Sequence, residues 1–412
     1  MEKKLLLALG IGGYALLLLI TCLHHQPPLF DEPLFIPNVH LFEQYGLSRE
    51  FLVKIDNQAP GPLYQFIHYP LQPLTHLQTP GIRLVNTVLL GGMIILLTYN
   101  LSRYRRIPLR DAWLPALAIM AVPMVWQVAG MALTEIPPMF FASLSIWWLL
   151  LALQCSDWKS FPFAILAGVA LGFAILGRSP FLMMAPASAL LLLYHVKDGR
   201  RWMLILIYTG CALAMCVPVF IIWKGLMPPQ QAVISAGGIK PWHGILAFAY
   251  GALLTIIIAP QWFVYNRRIL FALIAAYIIL LIANISVLHY EYAPLSEALG
   301  KVMPVKLMQV YPYVISPLLA TVALYFLCCS AWQAWLHRTD NVFLFLLAAG
   351  ILVLATSFKV THLFSSRYVA QAAPFFVLVL AGYDRISYNR CLRFAVGMCI
   401  GLLSLETYFL FR

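Results

Sequence analysis

Charge is scarce in this sequence. Only 10% of its 412 residues are Asp, Glu, Lys or Arg while 62% are hydrophobic, and a mean hydropathy of +0.85 excludes a soluble globular domain. Acidic residues are the rarer sign, 15 against 27 Lys and Arg. The eight cysteines contain no CxxC and no pair within one loop, so neither a disulfide framework nor a thiolate metal site is indicated. The histidines on the expected exterior loops lack HxH and HxxxH spacing, which leaves no zinc motif. There is no heptad pattern, low-complexity tract or internal repeat, and the apolar runs are nearly free of ionisable groups. Both absences weigh against a transporter, which hides such groups in mid-span near broken helices.

What is present is a series of long apolar runs. Crossing the hydrocarbon core takes ~20 apolar residues, and a backbone cut off from water must pair within itself, so these runs are helices. About thirteen are expected, starting near Leu5, Gly81, Trp113, Pro138, Pro162, Pro180, Met203, Gly244, Ile269, Pro312, Val342, Tyr368 and Phe394. The fold class is all-α and polytopic, with residues 1–412 as a single membrane domain. The run after "MEKK" has no small-residue cleavage site and reads as a span. Lys and Arg crowd alternate breaks, "SRYRRIPLR", "KDGRR" and "NRR", which puts the N-terminus in the cytoplasm and the C-terminus outside. Topology accounts for the net charge of +12, so no nucleic-acid partner is inferred. The Asn-x-Ser/Thr triplets at Asn100 and Asn284 fall at a cytoplasmic edge and inside a span. This favours a bacterial inner membrane, with the endoplasmic reticulum as the eukaryotic counterpart.

Polar residues concentrate in the exterior breaks. The first exterior loop, residues 24–80, opens with "FDEPLFIPNVHLFEQYG", which predicts a short interfacial helix that Asp31 caps, Pro33 begins and Gly46 ends, with Leu34, Leu41 and Phe42 on the membrane surface. Asp31 reads equally as a cap and as a chemical group, and Glu32 equally as a partner for the helix dipole. "DNQAPGPLYQFIHYP" follows as a turn-rich stretch. At the next exterior break, "ALTEIPPMFF", Glu135 again precedes prolines at a helix start. Exterior cations are Arg83, Arg178, Lys240, Lys359 and Arg367. Each alone reads as a headgroup anchor; together they suit an anionic phosphate at the interface.

These residues resemble a known superfamily. The exterior "DE", "APGPLY", "IRLVN", "LTE", "GRSP" and the closing "SSRYVAQAAPFF" are similar to motifs of the GT-C glycosyltransferases, multispan enzymes that use lipid-linked sugars. The opening loop most resembles the dolichyl-phosphate-glucose glucosyltransferases of N-glycan assembly, although "GRSPF" departs from their "RQTN"-like pattern. The resemblance implies transfer of a hexose, glucose in that subgroup, from a polyprenyl-phosphate donor to a glycan or glycolipid acceptor at the exterior face. It implies Asp31 as general base, Glu32 and Glu135 as helper carboxylates, and Arg178, Lys240, Lys359, Arg367 and Arg83 as donor-phosphate contacts. Tyr64, His68, His362 and Tyr368 are expected around the acceptor or pocket. Asp31, Glu32 and Glu135 also suit a hard divalent cation, Mg or Mn, on which some members of the superfamily depend. The alternatives are a transporter or flippase of lipid-linked sugars and a surface-polysaccharide polymerase or ligase.

Overall fold

The computed structural model describes residues 1–410 except 57–59, 235–236, 291, 293, 295–298, 362 and 384–385. Among the described residues there is helix and no strand. Ten helices are long and apolar enough to cross a membrane. They are α1 (Glu2–Leu23), α5 (Gly81–Arg105), α8 (Ile136–Gln154), α9 (Ser160–Gly177), α11 (Gly199–Trp223), α13 (Pro241–Ile258), α14 (Arg267–Ala283, extended by a wider turn to Leu288), α15 (Val305–Leu336), α16 (Asn341–Ala355) and α19 (Tyr388–Leu410).

The other three expected spans are shorter or broken. The third splits into α6 (Leu109–Ala116), a tighter turn to Ala121, and α7 (Pro123–Gly130), with an 81° bend. The bend falls where Pro123, lacking an N–H, cannot continue the preceding helix. The sixth is the short apolar helix Ser179–Tyr194, which contains α10 (Met184–Tyr194). The twelfth divides into α17 (Arg367–Ala370) and α18 (Ala373–Leu380). Every residue of α7 and α18 is buried. A helix apolar on all sides belongs inside the protein, and there its broken backbone can be satisfied away from lipid. α14 is the opposite case, an outer helix with 6% of its apolar window buried.

The first loop folds into a cap made of α2 (Glu32–Tyr45), α3 (Arg49–Lys54) and α4 (Leu63–Thr75). Gly46 ends α2 with φ +57° and ψ −160°, a setting that glycine alone takes readily, and Ser48 caps α3 by accepting from Phe51 N at 3.1 Å. Asn38 bonds both the N–H and C=O of Asp56, and Trp223 Nε1 donates to Leu52 O at 2.8 Å, tying α3 to α11. The apolar side chains expected on the membrane surface pack on protein instead. Leu34, Leu41 and Phe42 lie against the core, and the Phe42 ring meets Phe51, Phe66 and Tyr69 edge-on. Three aromatic partners within the cap bury that face more effectively than a headgroup layer would.

Candidate active site

Two clamps position the site. Glu32 is wholly buried and receives Arg83 through two bonds, Nε at 2.8 Å and Nη2 at 2.6 Å. Its oxygens also accept from Leu29 N at 2.7 Å and Ala132 N at 2.8 Å. Arg83 adds the carbonyls of His24 and Pro27 and lies over the Phe409 ring. One turn further along α5, on the same face, Asn86 Nδ2 donates to Met131 O and Leu133 O, both at 2.7 Å. The "IRLVN" helix start thus fixes the first loop to the "MALTE" break. Gly61 makes the second clamp. A Cβ there would lie 1.9 Å from Leu176 O, so only glycine lets the "APGPLY" turn sit on the end of α9, beside Arg178.

On this scaffold stand the two remaining carboxylates. Asp31 and Glu135 occupy the N-cap positions of α2 and α8, as the sequence predicts, yet neither side chain makes a capping bond. Asp31 Oδ2 accepts from Arg367 Nη2 at 2.5 Å. Glu135 Oε1, fully buried, accepts from Arg178 Nη2 and lies 3.8 Å from Arg367 Nε. The four charges alternate along one line: Asp31, Arg367, Glu135, Arg178. The residue before Asp31, Phe30, has φ +56°, a strained setting for a bulky side chain, and its ring lies 5.3 Å from the Arg367 guanidinium.

Several polar atoms at this line are buried with no hydrogen-bond partner: Glu135 Oε2, Thr134 Oγ1, Arg178 Nε and Arg367 Nη1. An unmet buried donor or acceptor costs about 1–3 kcal/mol, so this cluster is an expensive one for the fold to hold. Beside it opens a cavity of about 560 Å³. Its lining includes the polar Arg178, Lys359, Tyr368, Thr361 and Gln371 and the apolar Leu182, Met183, Leu226, Met227 and Leu352. Among the described residues no acidic one lines it. Gln371 Oε1 and Thr361 Oγ1 are also unpartnered.

The sequence-predicted residues therefore divide. Asp31, Glu135, Arg178 and Arg367 converge, and Lys359 and Tyr368 line the adjoining cavity. Glu32 and Arg83 bind each other in the scaffold. Lys240 is exposed outside the cavity lining, its backbone N donating to Phe358 O at 2.7 Å. Tyr64 and His68 are buried in the cap, ring centroids 4.0 Å apart, with Tyr64 against Phe35 of α2. Burial, with Glu32 nearby, pushes the Tyr64 phenol up, and burial pushes the His68 imidazole down to about 3. His362 lies outside the described residues. Among those residues no three His, Cys, Asp or Glu side chains gather as a metal site, and each candidate carboxylate is engaged by an arginine. Asn86 and Gln371 escaped the sequence reading. For Asn86 the signal was its one-turn spacing from Arg83; Gln371 had none.

Comparison with known proteins gives a family match over part of the chain. Residues 61–223 match the family model described as dolichyl-phosphate-mannose-protein mannosyltransferase. That match supports the GT-C superfamily resemblance. The matched segment runs from Gly61 to the end of α11 and includes Arg83, Glu135 and Arg178. No curated protein matches the chain. Among solved structures, ArnT from Cupriavidus metallidurans bound to undecaprenyl phosphate is similar at 15% identity, over 91% of this chain and 76% of that one, with a TM-score of 0.41. Its apo state gives 0.43 at the same identity and coverage. The Archaeoglobus fulgidus oligosaccharyltransferase, tethered with an acceptor peptide, gives 0.48 at 13% identity over 98% of this chain. The chain spans 54% of that protein's length.

Proposed function

We propose that this chain is a GT-C type glycosyltransferase that moves a hexosyl group from a polyprenyl-phosphate donor to a hydroxyl of a lipid-linked or surface glycan at the exterior face. One observation carries the reading. The ion-paired series Asp31, Arg367, Glu135, Arg178 meets, at Arg178, a cavity lined by cations, unmet hydrogen-bonding groups and hydrocarbon, with no acid among the described residues of its lining. A lipid phosphate bearing a sugar has those three parts. The family match over residues 61–223 supports the same class.

In this reading the acceptor oxygen attacks the anomeric carbon as its proton passes to the Asp31 carboxylate. The bond from that carbon to the phosphate oxygen breaks, and the lipid phosphate leaves with the electron pair. Arg178, Arg367 and Lys359 meet the charge developing on the phosphate. Arg367 holds Asp31 until a phosphate competes for its guanidinium, which couples donor binding to release of the base. Glu135 keeps both arginines aligned. Glu32 and Arg83 serve as scaffold.

The test is transfer by the purified protein from a panel of polyprenyl-phosphate hexoses, read by mass spectrometry of the acceptor, with membrane glycolipids compared in cells with and without the gene. Transfer of one hexose supports the proposal. Redistribution of lipid-linked sugar across proteoliposomes without transfer would favour a flippase and overturn it.

A further inference from the structure

A second polar cavity, also of about 560 Å³, lies far from this site. It is lined by Ser102, Arg103, Arg106, Gln154 and Arg201, with Tyr99, Leu109 and Leu153 beside them. At 1.5 Å per residue, Arg103 is about 30 Å along α5 from Arg83, so this cavity sits at the opposite membrane face. Its floor is fixed: Gln154 Nε2 donates to Arg103 O at 3.2 Å and Ser102 Oγ to Ile107 O at 2.7 Å.

Arg103 and Arg106 end α5, where the helix dipole favours cations, and that alone would account for them. It does not account for Arg201, in the first turn of α11, where the dipole disfavours a cation. Asp198, 3.5 Å from Arg201 Nε, compensates one charge. The Arg103 and Arg106 side chains have no hydrogen-bond or ion-pair partner among the described residues. One carboxylate against three guanidiniums leaves the cavity positive.

We propose that this cavity binds a phosphate-ester anion, and that the source is an anionic phospholipid headgroup. Tyr99 and Leu109 at its edge are both over a third exposed, as side chains facing acyl chains would be, and basic pockets between spans on the cytoplasmic side take up such headgroups. The proposal does not depend on the transferase reading.

The experiment is native mass spectrometry and titration of the full chain in phosphatidylcholine nanodiscs, with phosphatidylglycerol as the lipid probe and glycerol 3-phosphate as the soluble one. Phosphatidylglycerol should bind the wild type and lose about thirtyfold in affinity in the Arg103→Ala/Arg106→Ala variant. Arg110→Ala, which removes an exposed charge outside the cavity, should change little. Arg103→Ala and Arg201→Ala singly answer the same question if the double variant aggregates. Binding of glycerol 3-phosphate with the same arginine dependence, and none of phosphatidylglycerol, would keep the anion site and overturn the lipid source. Equal binding by wild type and cavity variants, or an equal loss with Arg110→Ala, would overturn the site.

Discussion

Arg367 Nη2 lies 2.5 Å from Asp31 Oδ2, joining two residues 336 positions apart in the chain. Asp31 stands at the N-cap of α2, but its side chain makes no capping bond and turns to this arginine. In the proposed mechanism that pairing is what reserves Asp31 for the acceptor proton.

Asp31→Asn keeps the size and capping ability of the residue. It should fold and insert normally, with an unchanged size-exclusion profile. Transfer should fall ~100-fold to ~10,000-fold, the usual contribution of a general base. Wild-type turnover in the folded variant would remove Asp31 from the mechanism and leave Glu135 as the remaining carboxylate beside Arg178 and Arg367.

Arg178→Ala and Arg367→Ala should each lower kcat more than they raise KM, because the leaving-group charge is greatest in the transition state. A lost donor at such a site costs about 2.7–4 kcal/mol. Arg367→Lys should recover part of the loss in Arg367→Ala, since a point charge meets the phosphate but not both carboxylates. Unaltered kcat in both alanine variants would return these residues to the role of headgroup anchors.

Glu32 and Arg83 should behave differently. Both are 0% exposed, and removing one partner leaves a buried charge alone, at about 3–5 kcal/mol. Glu32→Gln and Arg83→Ala should therefore reduce yield and thermal stability of the purified protein. A stable but inactive Arg83→Ala would move Arg83 from the scaffold to the donor phosphate.

His68 makes a pH signature. Burial holds its folded-state value at about 3, below the ordinary 6.5, so folded His68 is neutral where the unfolded chain takes up a proton. The unfolded state binds more protons between those values, so stability falls as pH drops from 6.5 toward 3, by about 1.4 kcal/mol per unit. Above 6.5 the group contributes no slope. His68→Phe should flatten the acid limb of a melting-temperature profile; an identical profile would mean that other groups set it.

Topology can be read with an impermeant thiol reagent. Leu47→Cys, on the exposed cap, should label in intact cells, and Arg110→Cys only after permeabilisation, in a background with Cys22, Cys328 and Cys399 changed to Ser. The reverse pattern would put the candidate active site on the cytoplasmic face.

The sequence by itself determined the class of fold, because apolar runs of span length leave a water-deprived backbone no option but helix. It also marked the first loop, which carries Asp31, because charge in so apolar a chain stands out. It could not separate Asp31 from Glu32. Both open the same helix, yet one pairs with Arg367 while the other closes on Arg83 inside the protein, a difference set by how α2 packs against α4. Nor could hydropathy tell a span from a buried helix: α18 is as apolar as any crossing, since lipid and protein interior reward the same residues. Long-range pairing decided the rest. Arg367, Glu135 and Arg178 come from three distant breaks in the chain, and their alignment exists only once α5, α8, α9 and the cap have packed.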